Sequence, residues 1–156
     1  MKPTIANLLA GHALYRPDKT ALVVGGEAYS FFEFHSAVGR LVSAFFRCGL
    51  VKGDKVATVL GNGFELMAVY WAAAASGVVV VPCSALLRTG GLKTLLNDSD
   101  AVLVIADAVQ VDALDEIRGE LSGVAGDRFV LTGCDTAPTG YQTYSAFISI
   151  GSIKRI

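Results

Sequence analysis

A glycine-containing hexapeptide, residues 61–66 (GNGFEL), follows a predicted strand and opens a predicted helix. The G-x-G-x-x-G loop of dinucleotide-binding proteins has this position, because its glycines let a pyrophosphate approach the helix N-terminus. Here Leu66 replaces the third glycine, and residues 82–84 (PCS), none of them acidic, follow the next predicted strand. The pattern therefore favours a tight turn in which Asn62 caps the helix and Glu65 takes the reciprocal position.

A second glycine pair, Gly90 and Gly91, precedes Lys93 at the start of a short predicted helix. Backbone N–H groups at a helix N-terminus, with an ammonium nearby, can bind a phosphate. However, the chain contains no G-x-x-x-x-G-K-[ST] segment, and no strand directly precedes these glycines. Two interpretations stay open: a helix that glycine opens without any ligand, and a phosphate contact made by Lys93.

Nucleophiles and metal ligands are few and widely spaced. Cys48, Cys83 and Cys134 form no C-x-x-C pair, His12 and His35 have no ligand-spaced partner, and no G-x-S-x-G occurs. We therefore predict no catalytic residue, no disulfide framework and no metal site. Acidic groups at residues 98–100 and 112–116 fall at a predicted turn and on a predicted helix face, which favours solvated surface charge.

The composition sets the class of protein that must position these residues. The 156-residue chain is 53% hydrophobic and 17% charged, with a net charge of −1. Such a chain can bury a core, and it lacks the basic surface that nucleic acid or an anionic membrane would need. The first residues do not resemble a secretory signal, so we expect a cytoplasmic protein.

Local patterns predict the N-terminal elements. Residues 4–15 are weakly helical, and two short strand-like runs flank residues 25–27 (GGE), which indicates a β-hairpin. Ser30 and Glu33 have the spacing of a capping box at the start of an amphipathic helix that ends at Gly49.

Strands and helices alternate after this helix. Strands are predicted at 55–60, 78–81, 101–105 and 128–132, with helices between them, and Asp107 is expected to cap the helix that runs to residue 121. This order predicts a three-layer α/β/α fold with a mostly parallel sheet and an N-terminal β-hairpin.

The uncharged stretch from residue 66 to residue 87 is long enough to suggest a membrane span. Ser76 and Gly77 interrupt it, four valines follow, and Pro82 ends them. We therefore predict a helix over 64–76, a glycine stop and a short buried strand, and no membrane span.

The joints between these elements resemble the N-terminal subdomain of the adenylate-forming (AMP-binding) superfamily, and most closely its acyl-CoA synthetases. The segments that carry the resemblance are residues 16–22 (RPDKTAL), 29–34 (YSFFEF), 53–57 (GDKVA), 62–65 (NGFE), 72–82 (AAAASGVVVVP) and 98–101 (DSDA). Their order and spacing extend over residues 1–132. The family usually has Asn soon after the proline of the fifth segment, whereas this chain has Cys83 and Ser84.

The resemblance implies an ATP-dependent acid–CoA ligase that uses Mg²⁺ and CoA and acts on a fatty or other hydrophobic acid. In relatives, a basic residue in the loop after that proline touches CoA phosphates, and Arg88 lies in this loop. It thus becomes the candidate CoA-binding residue.

The family's phosphate-binding loop, ribose-binding aspartate and catalytic lysine are absent from this sequence. We therefore expect residues 1–132 to form the N-terminal subdomain, residues 133–156 to be a loop and poorly patterned tail, and the chain alone to be inactive and to hold no cofactor. The alternative is a non-catalytic α/β module that binds a small molecule or self-associates.

Overall fold

The computed structural model describes residues 4–87 and 89–149. The chain divides into two compact units of similar size. Of the described residues, the first unit comprises 4–52, 62–78 and 148–149, and the second comprises 53–61, 79–87 and 89–147.

Three helices and a hairpin form the first unit. They are α1 (Ile5–Tyr15), β1 (Thr20–Val24), β2 (Glu27–Ser30), α2 (Phe31–Arg47) and α3 (Phe64–Ser76). The strands β1 and β2 pair antiparallel. The predicted N-terminal helix and hairpin are therefore confirmed.

Short-range chemistry explains where these elements begin and end. Gly25 and Gly26 both have positive φ, +58° and +88°, as a two-residue hairpin turn requires. At the start of α2, the Ser30 hydroxyl accepts from the Glu33 amide at 3.2 Å, and the Glu33 carboxylate accepts from the Ser30 amide at 2.8 Å. The predicted capping box is thus present.

Aromatic rings pack in the interior of this unit. Phe34 is 2% exposed and meets Phe64 and Trp71 edge to face, with ring centroids 5.8 and 5.6 Å away. The buried face of α2 continues through Val38, Leu41 and Phe45, each at most 1% exposed. Their helical spacing is the pattern from which the sequence predicted this helix.

The second unit is built on a five-stranded parallel sheet. In chain order, its strands are β3 (Lys55–Val59), β4 (Val79–Pro82), β5 (Ala101–Asp107), β6 (Phe129–Thr132) and β7 (Gln142–Thr143). In space the order is β4-β3-β5-β6-β7. The predicted class, α/β with a mostly parallel sheet and an N-terminal hairpin, is confirmed.

Helices α4 (Thr89–Asp98) and α5 (Val111–Ile117) connect strands of this sheet, and α6 (Tyr144–Ser149) follows β7. Leu92 and Leu96 of α4 and Leu114 of α5 pack in one apolar core with side chains of the sheet. The strands β3, β5 and β6 are buried on both faces along nearly their whole length, which is typical of central parallel strands.

Four details differ from the prediction. Strand β4 is at the sheet edge and partly exposed rather than buried, because it has only one neighbour. Helix α3 begins after Gly63, and no side chain caps it. The prediction that Asn62 caps this helix was therefore wrong. The predicted helix from Asp107 to residue 121 is split into a short 3-10 turn, α5 and a second 3-10 turn. Finally, strand β7, which was not predicted, lies in the region expected to be a loop and tail.

The uncharged stretch divides as predicted. Helix α3 ends at Ser76, Gly77 adopts φ of +78°, and β4 follows. Among the described residues, no helix combines the length and apolar character that crossing a bilayer requires.

Candidate binding edge of the parallel sheet

The carboxyl edge of the sheet, where β3, β4, β5 and β6 end, is the first place to look for a ligand site. In open α/β sheets, ligands bind outside the carboxyl ends of the strands, at the point where the strand order reverses. Here the order reverses between β3 and β5, because β4 lies on one side of this pair and β6 and β7 lie on the other.

Asp107 lies at this point of reversal. One carboxylate oxygen, Oδ2, accepts from the Gly61 amide at 2.7 Å. The other, Oδ1, accepts from the Thr132 hydroxyl at 2.7 Å. Since Gly61 follows β3 and Thr132 ends β6, one side chain ties together the ends of three adjacent strands.

The sequence pattern assigned a different role to Asp107. It was expected to cap a helix, but the 3-10 turn that follows it receives no side-chain cap. The side chain accepts from the Gly61 amide instead. The backbone donor at Gly61 that could have met a phosphate is therefore occupied by a carboxylate, whose negative charge also disfavours a phosphate there.

The segment after β4 is held by hydrogen bonds on both sides. The Cys83 amide donates to the Thr58 carbonyl at 2.8 Å, which continues the strand pairing by one residue. The Ser84 hydroxyl accepts from the Leu86 amide at 3.2 Å, and the Gln110 side chain donates to the Ala85 carbonyl at 3.2 Å. Residues 83–86, the first part of the loop predicted to meet CoA, are thus held in a defined conformation.

Cys83 is not a prepared nucleophile. It is 5% exposed and belongs to the apolar core of the second unit. Burial raises the pKa of its thiol, so the reactive thiolate is disfavoured. Cys83 therefore serves as a small core residue.

The two residues predicted to contact phosphates are not brought together among the described residues. Arg88 lies outside the described residues. Lys93 lies in α4, where its ammonium forms an ion pair with Glu120. A phosphate contact by Lys93 therefore stays a prediction, and the phosphate would have to compete with this carboxylate.

A polar cluster on α5 was predicted as solvated charge only. Asp115 accepts from the Tyr141 hydroxyl at 2.9 Å and from Arg118 Nε at 3.2 Å. The Arg118 guanidinium lies 4.9 Å from the centre of the Tyr141 ring. Burial, and then the hydrogen bond to Asp115, raise the pKa of Tyr141. This cluster anchors the chain just before β7.

Acidic residues away from Asp107 and Asp115 were also compared with the requirements of an ion pair and of a metal site. Asp100 forms a surface ion pair with Lys55 at 3.2 Å and is 83% exposed. Within residues 4–87 and 89–149, no group of three His, Cys, Asp or Glu side chains could hold a metal ion.

Comparison with known proteins identifies the relatives of this chain. A model of the family described as AMP-binding enzyme matches residues 9–139. The 2-succinylbenzoate–CoA ligase of Bacillus cereus is 30% identical over 107 residues, which cover 69% of this chain but 22% of that protein.

Solved structures share the fold. An anthranilate–CoA ligase in complex with anthranoyl-AMP superposes with a TM-score of 0.89 at 19% identity, over 98% of this chain and 29% of that one. A long-chain-fatty-acid–CoA ligase from Archaeoglobus fulgidus gives 0.84 at 20% identity, over 99% and 31%. This chain therefore spans less than a third of each of these three proteins.

Proposed function

Because the chain belongs to the AMP-binding enzyme family, we propose that it is the N-terminal portion of an ATP-dependent acid–CoA ligase. In this reaction a carboxylate attacks the α-phosphate of ATP and releases pyrophosphate, and the thiol of CoA then displaces AMP from the acyl-adenylate. The match of the family model to residues 9–139 carries the proposal. The matched proteins are named for 2-succinylbenzoate, anthranilate and long-chain fatty acids, so aryl acids and fatty acids are both candidate substrates.

We propose further that the chain is cytoplasmic and supplies a wall of the substrate site but no catalytic group. Phosphoryl chemistry needs cations and preorganised donors around the developing charge. At the carboxyl edge of the sheet, the Gly61 amide and the Thr132 hydroxyl already bind Asp107. The described residues therefore do not fit Mg²⁺-ATP, and the chain by itself should be inactive.

Pyrophosphate release tests this expectation. The 156-residue chain is incubated with ATP, Mg²⁺, CoA and a panel of acids that includes 2-succinylbenzoate, anthranilate and fatty acids. We expect no release above the rate without protein. Turnover with any acid would contradict the proposed inactivity and support a complete active site in this chain.

For CoA, we propose that Arg88 and Lys93 contact its phosphates. A ligand that binds the folded state raises the thermal unfolding midpoint, so CoA should stabilise the chain and ATP should not. Arg88→Gln and Lys93→Gln should reduce the shift, whereas Glu120→Gln should increase it by releasing Lys93 from its ion pair. A shift that none of these substitutions changes would place CoA elsewhere.

Self-association is the second possibility, and exposed apolar side chains favour it. Leu14, Tyr15 and Phe32 of the first unit are 72%, 82% and 59% exposed, and clustered apolar surface promotes association. Sedimentation over a range of concentrations distinguishes the two: a dimer supports the self-associating module, and a monomer throughout contradicts it.

A further inference from the structure

A groove on the first unit lies beside the N-terminal half of α2 and has a volume of about 470 Å³. This volume is within the range of small-molecule sites. Three aromatic rings line it, together with an acid, a hydroxyl and a guanidinium. These residues are Tyr29, Phe32, Phe64, Glu33, Ser36 and Arg40.

The aromatic side of the groove combines a supported ring pair with an exposed ring. Tyr29 and Phe64 lie with their ring centroids 4.2 Å apart and their planes 31° from parallel. Phe34, buried in the interior, meets Phe64 edge to face with ring centroids 5.8 Å apart. Phe32 is 59% exposed. A planar ligand could stack here without rearrangement of the core.

Arg40 is the cation of the groove. Within residues 4–87 and 89–149, its guanidinium has no hydrogen-bond or ion-pair partner. The carboxylate in the same groove, Glu33, already binds the amide and hydroxyl of Ser30. A guanidinium in this state is suited to bind a carboxylate through two parallel hydrogen bonds.

The charges around Tyr29 limit how much negative charge a ligand can carry. The hydrogen bond to Glu27 is the largest cause of the raised pKa of Tyr29, and the charges of Glu65 and Glu33 raise it further. Glu27 accepts from the Tyr29 hydroxyl at 2.8 Å and Glu33 lines the groove, so two carboxylates lie close to its aromatic end. A doubly charged phosphate monoester would be repelled more strongly than a singly charged carboxylate.

We propose that this groove binds a planar aromatic carboxylate, with its ring against Phe32, Tyr29 and Phe64 and its carboxylate on Arg40. The site belongs to the first unit and is separate from the carboxyl edge of the sheet. It does not depend on the proposed ligase function, since it requires neither ATP nor CoA.

Titration of the 156-residue chain with 2-naphthoate, followed by amide chemical shifts, tests the proposal. We expect saturable binding with the largest shifts at the groove residues. Cyclohexanecarboxylate lacks the planar ring, 2-naphthalenemethanol lacks the charge, and phenyl phosphate carries a second charge. Each should bind roughly tenfold more weakly, as expected for the loss of one charge-assisted or stacking contact.

Substitutions assign the contacts. Arg40→Gln should weaken 2-naphthoate binding about tenfold, and Arg40→Lys, which keeps the charge, should restore part of it. Phe32→Leu should weaken binding through loss of the flat ring. Arg16→Gln is the matched control, because Arg16 lines a smaller groove beside α1 with His12 and should leave binding unchanged.

Several results would overturn the proposal. They are no saturation by about 10 mM 2-naphthoate, unchanged affinity in a folded Arg40→Gln chain, loss of binding in Arg16→Gln instead, and equal affinity for phenyl phosphate. Circular dichroism of each variant establishes that the chain is folded before binding is compared.

Discussion

The second unit (the sheet unit) and the first unit (the helical unit) are stabilised by different kinds of contact. In the sheet unit, residues far apart in sequence meet: β3, β5 and β6 are buried on both faces, and Asp107 joins the ends of all three strands. In the helical unit, the polar contacts that define the elements join residues that are close in sequence, such as Ser30 and Glu33 of the capping box.

The units also differ in the apolar surface that they leave open. Most of the exposed large apolar side chains among the described residues belong to the helical unit, including Leu14 and Tyr15. The comparison indicates that long-range burial specifies the sheet unit. The helical unit combines strong local signals with surface suited to further contacts. Four substitutions test this difference.

The largest effect is expected from Phe129→Ala in β6. Phe129 is 1% exposed and meets Tyr141 edge to face at 5.8 Å. Truncation leaves a cavity, so urea unfolding should show a loss of about 3–5 kcal/mol in the free energy of unfolding. Val109→Ala, at a side chain that is 83% exposed, should stay within about 0.5 kcal/mol. Similar losses for the two variants would contradict a core centred on the sheet.

Asp107→Ala should cost about 1–3 kcal/mol, because it leaves the Gly61 amide without its acceptor and the Thr132 hydroxyl with only the longer bond to the Ala106 carbonyl at 3.4 Å. Asp100→Ala is the control, since its surface pair with Lys55 should contribute about 0–1 kcal/mol. A double-mutant cycle with Thr132→Val measures the coupling to β6. Additive losses would mean that Asp107 does not act through Thr132.

Ser30→Ala tests the local signal in the helical unit. Loss of the capping hydroxyl should lower the free energy of unfolding by about 1 kcal/mol. The helical circular dichroism, measured at the urea midpoint of the parent chain, should decrease as well. Ser36→Ala, six residues further along the chain, replaces a residue with no capping role and should change stability by at most about 0.5 kcal/mol. Equal effects of both serines would show that the capping box does not determine where α2 begins.

The smallest effect concerns His35, whose Nε2 is buried without a hydrogen-bond partner. Burial lowers the pKa of His35, so the folded chain binds this proton less readily than the unfolded chain. Its contribution to stability is present above the unfolded pKa of about 6.5 and is lost as the pH falls through the folded value. The urea midpoint should decrease between about pH 7.5 and pH 5.5.

His35→Gln should flatten this pH dependence, and His12→Gln should not. His12 is exposed and stacks on Phe31, with ring centroids 4.7 Å apart. If His35→Gln kept the slope of the parent chain, the pH dependence would have another origin.

Prediction from sequence succeeded where neighbouring residues decide the structure. The hairpin turn at Gly25 and Gly26 and the capping box at Ser30 depend on residues within three positions of one another. The β4 strand was predicted one residue early and as buried, because a run of valines does not show whether a strand has one neighbour or two.

The contacts of Asp107 show where prediction from sequence failed. Asp107 has the sequence context of a helix cap, and only the sheet order places Gly61 and Thr132 within reach of its two oxygens. The short strand β7 was missed because two residues carry no periodic signal. It pairs with β6, next to the contacts that Tyr141 makes with Asp115 and Arg118.

The sequence by itself determined the alternation of strands and helices, the local caps and turns, and the family, because each follows from residue types at short spacing or from their order. Tertiary structure decided which strand lies at the edge, which donors Asp107 binds, and which cations stay unpaired. Neither Lys93 nor Arg40 has a charged neighbour next to it in the sequence. In the structure, Lys93 forms an ion pair with Glu120, whereas Arg40 lines an aromatic groove. Long-range pairing creates that difference, since it brings together charges and rings that no local pattern connects.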